Sequence, residues 1–247
     1  MPSKPTAAKP TWLFDLDNTL HNASYAIFPA INANMNAYMA RVLGDGDKPA
    51  DPAHVNAMRL LYWKRYGATL LGMIRHHQVR QDDFLREAHQ FDDLAGMIRA
   101  ERGLNRLLKR LPGKKILLTN APRRYSHEVM RHLGLHRHFA HHIAIEAMRV
   151  HGRLRPKPAR ILLQKILARH RISPLRCILV EDSVDTLKAA KTLGLRTVWV
   201  TQYVPTNPNV LAVSGQPLPP NPTKLPAGVD VKVKSVRQLP ENLTRLL

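Results

Sequence analysis

The chain has 247 residues, 44% hydrophobic and 23% charged, which suits a substantial folded core and excludes a disordered chain or a miniature scaffold. Its 38 Lys and Arg outnumber 18 Asp and Glu, for a formal charge of +20; this favours an anionic ligand without choosing among phosphorylated metabolites, nucleic acid and acidic membrane. The single cysteine, Cys177, lies in the apolar run Cys177-Ile178-Leu179-Val180, so it forms no intrachain disulfide and is expected as a buried thiol.

Residues 1–10, with three prolines and two lysines, read as a loose leader without the apolar stretch of a signal peptide. Nowhere do about 18 uncharged apolar residues run together, so a cytoplasmic protein with no membrane role is expected. Thr11 to Leu16 reads as a short buried strand that ends in Asp15-Leu16-Asp17-Asn18-Thr19. Helical spacing then covers about Tyr25 to Leu43, about Pro52 to Tyr66 before Gly67, a stretch from Ala68 through His77, and Asp82 to His89. Helix is also expected through Met97 to Leu111, where Leu104, Leu107, Leu108 and Leu111 form a stripe.

From there helices alternate with short apolar runs. Strand character falls on Lys115 to Asn120, His142 to Ile145, Cys177 to Val180 and Thr197 to Thr201; helix falls on 123–133, 159–170 and 184–193. This alternation is the signature of a parallel sheet covered on both faces. The block from 24 to 98 is too long for a simple crossover and reads as an inserted helical cap. The expected organisation is an α/β core over 11–23 and 99–204, a cap over 24–98 and a proline-rich extension over 205–247. Within that extension Pro217 to Pro222 cannot be an ordinary helix or interior strand, while Val229, Val231, Val233 and Val236 suggest a last short strand.

Asp15 and Asp17 stand where a buried parallel strand should emerge at its C-terminal end, the ligand edge of an open α/β sheet. Carboxylates crowded there repel one another, and Mg²⁺ is the ordinary remedy. One carboxylate can attack phosphorus while the other handles a proton. Further strand ends carry Thr119-Asn120, suited to phosphate oxygens, and Glu181-Asp182-Ser183; Lys157 sits between Pro156 and Pro158 just before a helix. Each has a bland reading as turn, cap or solvated face. Their repetition at successive strand ends favours a shared site.

Together these motifs resemble the haloacid dehalogenase superfamily of phosphohydrolases, over roughly residues 11 to 201, and within it the pyrimidine 5'-nucleotidase branch. The resemblance rests on Asp15-Leu16-Asp17-Asn18-Thr19-Leu20, Thr119-Asn120-Ala121, Lys157-Pro158 and Glu181-Asp182-Ser183. For the branch it rests on Tyr62-Trp63-Lys64-Arg65-Tyr66-Gly67 in the cap. It implies a Rossmann-like three-layer core with an inserted helical cap. It also implies Asp15 as nucleophile and Asp17 as acid and base, with Asp17 offering Mg²⁺ its main-chain carbonyl. Asp182 would hold the metal, with Glu181 assisting. Thr119 and the Asn120 backbone would bind the phosphoryl oxygens, and Lys157 would offset their charge. Thr186 occupies a position where the superfamily often carries a further Asp or Asn, and Asp185 should point to another helical face. The carboxylate of Asp17 argues against carbon–halogen displacement, which needs no acid for an alkoxide leaving group.

Tyr62, Trp63 and Tyr66 can stack on a base or pack the cap. His54, His76, His77 and His89 match no strong zinc spacing. Arg149, His151, Arg153 and Arg155 approach Lys157 and can raise the positive potential at the site's entrance. The leading expectation is therefore Mg²⁺-dependent hydrolysis of a small phosphorylated metabolite, a nucleoside 5'-monophosphate and preferentially a pyrimidine one. A sugar phosphate or phosphoglycolate is the rival substrate. A vestigial core acting as an RNA-binding or regulatory protein is the rival class, suggested by the +20 charge; the intact Asp15 and Asp17 pair argues against it, and no compact aromatic and basic RNA module supports RNA contact.

Overall fold

Trp12, Leu13 and Phe14 have no exposed surface. Successive strand residues point to opposite faces, so a strand apolar at every position must be covered on both sides. The computed structural model, which describes residues 9–204 and 225–247, places them in β1 (Thr11–Phe14), between β2 (Lys114–Leu118) and β6 (Cys177–Glu181). Residues 1–8 of the leader and the run Pro217 to Pro222 lie outside the described residues.

Three further strands, β3 (His141–Ile143), β7 (Arg196–Val200) and β8 (Val231–Val233), complete the sheet. Its six strands are all parallel, in the order β3-β2-β1-β6-β7-β8. Crossovers between them carry α6 (Leu104–Arg110), α7 (Arg123–His132), α8 (Arg160–Arg169) and α9 (Val184–Lys191). This is the expected Rossmann-like α/β core. Register aligns Phe14 with Leu117 and with Val180, so all three strands reach the same edge together. Gly113 turns the chain into β2 with φ +87°, and a Cβ there would meet Pro10 O at 2.0 Å; glycine alone fits. Cys177 is fully buried, and burial pushes its thiol up to about 12, as an inert core thiol requires.

The described residues fall into two compact units, one comprising 9–21, 100–204 and 225–247, the other 22–99. The second contains α1 (Ile27–Leu43), α2 (Pro52–Tyr66), α3 (Thr69–His77), α4 (Gln81–Ala88) and the single turn α5 (Leu94–Met97). Asp51 accepts the N–H groups of Ala53 and His54 to start α2, and Gly67 ends it in the left-handed conformation at φ +80°.

Three expectations need correction. Helix does not run through Met97 to Leu111: residues 98–103 are non-helical, with Gly103 at φ +89°, and the leucine stripe belongs to α6 and the residue after it. The strand expected to reach Ile145 ends at Ile143, because Ile145 N–H turns to Ala121 O at 3.2 Å and starts a helical turn. Residues 225–247 are part of the core unit, since β8 pairs with β7 through Val198↔Val231 and Val200↔Val233. A two-stranded antiparallel hairpin, β4 (Arg149–Val150) with β5 (Arg153–Leu154), was not anticipated. Among the described residues no helix is long and apolar enough to cross a membrane.

Candidate active site

The loop after β1 is set by its sequence. Asp15 N–H donates to Val180 O at 3.0 Å, extending the ladder one step beyond Phe14. The chain then turns through Asn18 at φ +58°, a left-handed conformation asparagine accepts more readily than most residues. Leu20 N–H closes the turn on Leu16 O at 2.8 Å. The turn separates the two carboxylates: Asp15 faces Lys157 and the acidic pair at the end of β6, while Asp17 faces His21 and Tyr125 of α7.

Asp15 is buried, and its Oδ1 accepts Lys157 Nζ at 2.6 Å. The same ammonium donates to Glu181 Oε2 at 2.6 Å, and Thr19 Oγ1 donates to Asp15 Oδ2 at 3.2 Å. One lysine thus spans two carboxylates. Burial and then Glu181 push Asp15 up to about 7 against the pull of Lys157. Burial alone would lower the Lys157 ammonium, but Asp15 and Glu181 outweigh it and hold Lys157 above its ordinary value. Asp182 is also raised well above the carboxylate range, by burial first and then by Glu181 and Asp15.

Carboxylate oxygens of Asp15, Glu181 and Asp182 all lie within 4.8 Å of one another. Three hard oxygen donors with only one ammonium among them crowd like charge, which adds to burial, the larger cause, in raising Asp15 and Asp182. A divalent cation fits such a set. The carboxylate of Asp17 is not in it.

Asn120 has a task not foreseen. Its side chain brackets the backbone of Lys157, donating from Nδ2 to Lys157 O and accepting Lys157 N–H at Oδ1, both at 3.0 Å. It therefore fixes the segment that delivers the ammonium to Asp15. Thr119 is 1% exposed at the end of β2, and its hydroxyl oxygen accepts Ala121 N–H at 3.0 Å, bending the chain there. Trp199 Nε1 donates to Asp182 O at 3.0 Å and holds the acidic loop. Ser183 opens α9, accepting both the N–H and the hydroxyl of Thr186 at 3.4 and 3.2 Å. Asp185, 72% exposed, turns outward toward Lys188.

The chain matches the family model of haloacid dehalogenase-like hydrolases over residues 10–194. It belongs to that family. Its fold is similar to a conserved haloacid dehalogenase-like protein from Agrobacterium tumefaciens, at 18% identity and TM-score 0.56 over 96% of this chain and 98% of that one. It is also similar to L-2-haloacid dehalogenase from Xanthobacter autotrophicus, solved with chloropropionic acid covalently bound, at 16% identity and TM-score 0.57 over 96% and 99%. A phosphatase of the family from Thermococcus onnurineus aligns at 14% identity and TM-score 0.56 over 96% and 98%.

Two residues of this hydrolase escaped the sequence reading. Tyr125, 2% exposed on α7, donates its hydroxyl to Asp17 Oδ1 at 2.5 Å. His21, fully buried, places Nε2 2.8 Å from the same oxygen. His21 Nδ1 has no hydrogen-bond partner among the described residues, so the tautomer that leaves no donor unsatisfied carries its proton on Nε2 and donates to Asp17. Burial first, and then Asp17, hold the Tyr125 phenol well above its ordinary range, so it remains a donor. The Asp17–His21 spacing of four residues was a usable signal; Tyr125, 108 residues from Asp17, left none.

In the helical unit Tyr62 is 4% exposed and packs on Gly72, where a Cβ would lie 2.2 Å from its ring. Its hydroxyl meets His77 Nε2 at 2.7 Å. Tyr62 therefore takes the packing role. Trp63 and Tyr66 are half-buried. Tyr66 contacts His76 Nε2 at 2.6 Å, and the guanidinium groups of Arg65 and Arg75 each lie 5.7 Å from its ring centroid.

Proposed function

We propose that this hydrolase cleaves phosphate monoesters through an aspartyl-phosphate on Asp15, and that its substrate is a nucleoside 5'-monophosphate, preferentially a pyrimidine one. The observation that carries the chemistry is the second carboxylate, Asp17, turned away from Lys157 and the acidic cluster and held by Tyr125 and His21. Displacement of halide from carbon has no use for such a group. Phosphoester cleavage needs one, because an alkoxide leaves only when protonated.

A carboxylate oxygen of Asp15 attacks phosphorus, the bond to the ribose oxygen breaks, and Asp17 gives that oxygen its proton. Water then attacks phosphorus, Asp17 takes a proton from it, and the Asp15–phosphorus bond breaks, releasing inorganic phosphate. Lys157 balances charge on Asp15 and the phosphoryl group, and Thr119 with the Asn120 backbone binds phosphoryl oxygens. Mg²⁺ would be held by Asp15, Asp182, the Asp17 main-chain carbonyl and Glu181, where it supplies the positive charge that three carboxylates and a phosphate dianion require. A vestigial core is disfavoured, since Asp15, Asp17, Lys157 and the acidic pair are all present.

Metal binding carries a signed pH dependence. Asp15 is raised from 3.8 to about 7 on folding, so in the metal-free protein the folded state binds its proton more tightly than the unfolded chain. The associated stability is fully present below the unfolded value and is lost as pH rises through about 7. Mg²⁺ should relieve the repulsion that appears there. The rise in Tm on adding Mg²⁺ is expected to be larger at pH 8 than at pH 5; an equal rise at both would contradict a cation among these carboxylates.

The base preference is supported by the likeness of Tyr62 to Gly67 to the nucleotidase branch and by the partly exposed rings of Trp63 and Tyr66. UMP and CMP should be hydrolysed with higher kcat/KM than phosphoglycolate and hexose phosphates. Trp63→Leu and Tyr66→Leu should reduce the nucleotide rates selectively, by roughly 5- to 150-fold for a stacking worth about 1 to 3 kcal/mol. Tyr62→Leu should instead lower Tm and affect both substrate classes alike. Equal kcat/KM for the two classes, unchanged by the Trp63 and Tyr66 substitutions, would remove the nucleotide reading and leave the phosphatase.

A further inference from the structure

The positive charge of this protein is concentrated. Residues 102–180 carry 19 Lys and Arg and only two acids, Glu128 and Glu146. The parallel sheet sorts this segment into two edges. Strand C-termini bear the acidic site, whereas strand N-termini and helix C-termini gather at the opposite edge. At that edge Lys109 lies in the last turn of α6 and Arg169 ends α8, while Lys114 and Arg196 begin β2 and β7. Arg137 and Arg176 sit in the short helical turns just before β3 and β6.

All six are exposed, and none has a carboxylate partner among the described residues. A helix macrodipole accounts for cations such as Lys109 and Arg169 in a last turn. It does not account for Lys114, Arg137, Arg176 and Arg196, which stand outside the α-helices. Other charges near this edge are already engaged. Lys115 is buried and donates to Leu111 O and Gly113 O at 2.7 and 3.1 Å. Asp230, just before β8, is held by Lys191 at 2.5 Å and by Thr197 N–H at 2.9 Å. The rings of His141 and His170 lie 4.4 Å apart. Burial first, and then neighbouring charges including Lys114 and Arg169, hold both imidazoles below their ordinary value.

We propose that this edge of the sheet is a second binding surface, separate from the catalytic edge, and that it binds the phosphate backbone of a nucleic-acid duplex. From β3 to β7 is four strand spacings, about 19 Å, and a duplex presents about one phosphate charge per 1.7 Å of axis. The aromatic residues of these strands, Trp12, Phe14 and Trp199, are buried, so the edge offers no platform for stacking unpaired bases. Leu175 is exposed there, but one leucine is not the apolar face that membrane insertion requires. A row of exposed cations without carboxylate partners among the described residues, of which Arg137 alone reaches a side chain there, Asn105 Oδ1 at 3.3 Å, instead suits sequence-independent contact with backbone phosphates.

The test is fluorescence anisotropy of the full chain with a labelled duplex of about 24 base pairs across 50 to 200 mM salt. If some five phosphates are contacted, affinity should fall about 500-fold over that range. The triple variant Lys114→Glu, Arg137→Glu, Arg176→Glu should bind at least about tenfold more weakly at 100 mM salt and show a shallower salt slope, with unchanged Tm and unchanged hydrolase turnover. An equal charge reversal on the helical unit, Lys64→Glu, Arg65→Glu, Arg75→Glu, should weaken binding far less. Absence of duplex binding at 100 mM salt would overturn the proposal. So would equal losses in the two triple variants, or tighter binding to anionic phospholipid vesicles or an unstructured single strand than to the duplex.

Discussion

Asp15→Asn is expected to fold normally and to lose phosphatase turnover by about 10⁴-fold or more, the scale on which removal of a covalent nucleophile acts. The amide keeps the size of the side chain: its one oxygen can still accept from Lys157 Nζ, which contacts Asp15 Oδ1 at 2.6 Å, and the NH2 that replaces Oδ2 can donate to the Thr19 hydroxyl, which now donates there at 3.2 Å. What it lacks is the anionic oxygen pair that attacks phosphorus. Removing one of the crowded carboxylates still leaves Lys157 ion-paired with Glu181, so the site should not collapse. Circular dichroism and Tm near those of the wild type, together with the lost turnover, would separate chemistry from stability. A folded variant that retained wild-type turnover would reject Asp15 as nucleophile.

Asp17→Asn should lose turnover by a route that depends on the leaving group. An alkyl phosphate leaves as an alkoxide and needs the proton of Asp17; an activated aryl phosphate leaves as a stable phenolate and does not. The variant should therefore be severely impaired on nucleotides, by on the order of 10²- to 10⁴-fold. With an aryl phosphate it should still release a burst of phenol and then stall, because the substituted amide cannot take a proton from the attacking water. Tyr125→Phe, which removes the 2.5 Å hydrogen bond to Asp17 Oδ1, should show the same dependence on leaving group at smaller amplitude. Equal losses in the first-turnover release of alcohol from alkyl and of phenol from aryl substrates in both variants would place Asp17 and Tyr125 outside proton transfer to the leaving group.

The strands were legible because central parallel strands are buried on both faces and so read as unbroken apolar runs, as in Trp12 to Phe14 and Cys177 to Val180. Val231 and Val233 were legible for a different reason, the alternation of a strand with Lys232 exposed between them. The overlong helix before Leu111 came from reading the leucine stripe backward past Gly103, whose positive φ starts the helix afresh. The two-residue strands of the β4–β5 hairpin are too short to carry any period.

The same physics governed the site. Asp15, Glu181 and Asp182 could be gathered in advance because parallel register brings strand ends to one edge, whereas Lys157, which follows no strand of that sheet, was reached only through the family resemblance. The phosphate contact expected of Asn120 is a backbone one; the task of its side chain, holding the backbone of Lys157, was not legible, because no local pattern announces a hydrogen bond between residues 37 apart. Tyr62 carries the aromatic signature of a base-stacking residue, but its fate was decided by Gly72, which leaves room for the ring inside the helical unit.

The most direct measurement is rapid acid quench of Asp17→Asn mixed with an aryl phosphate and Mg²⁺, followed by mass spectrometry of the peptide that contains Asp15. Near-stoichiometric phosphorylation of Asp15, rising with the phenol burst and absent in the Asp15→Asn, Asp17→Asn double variant, is the predicted result. A phenol burst with no phosphoryl group on the protein, or with the group on any residue other than Asp15, would contradict the account.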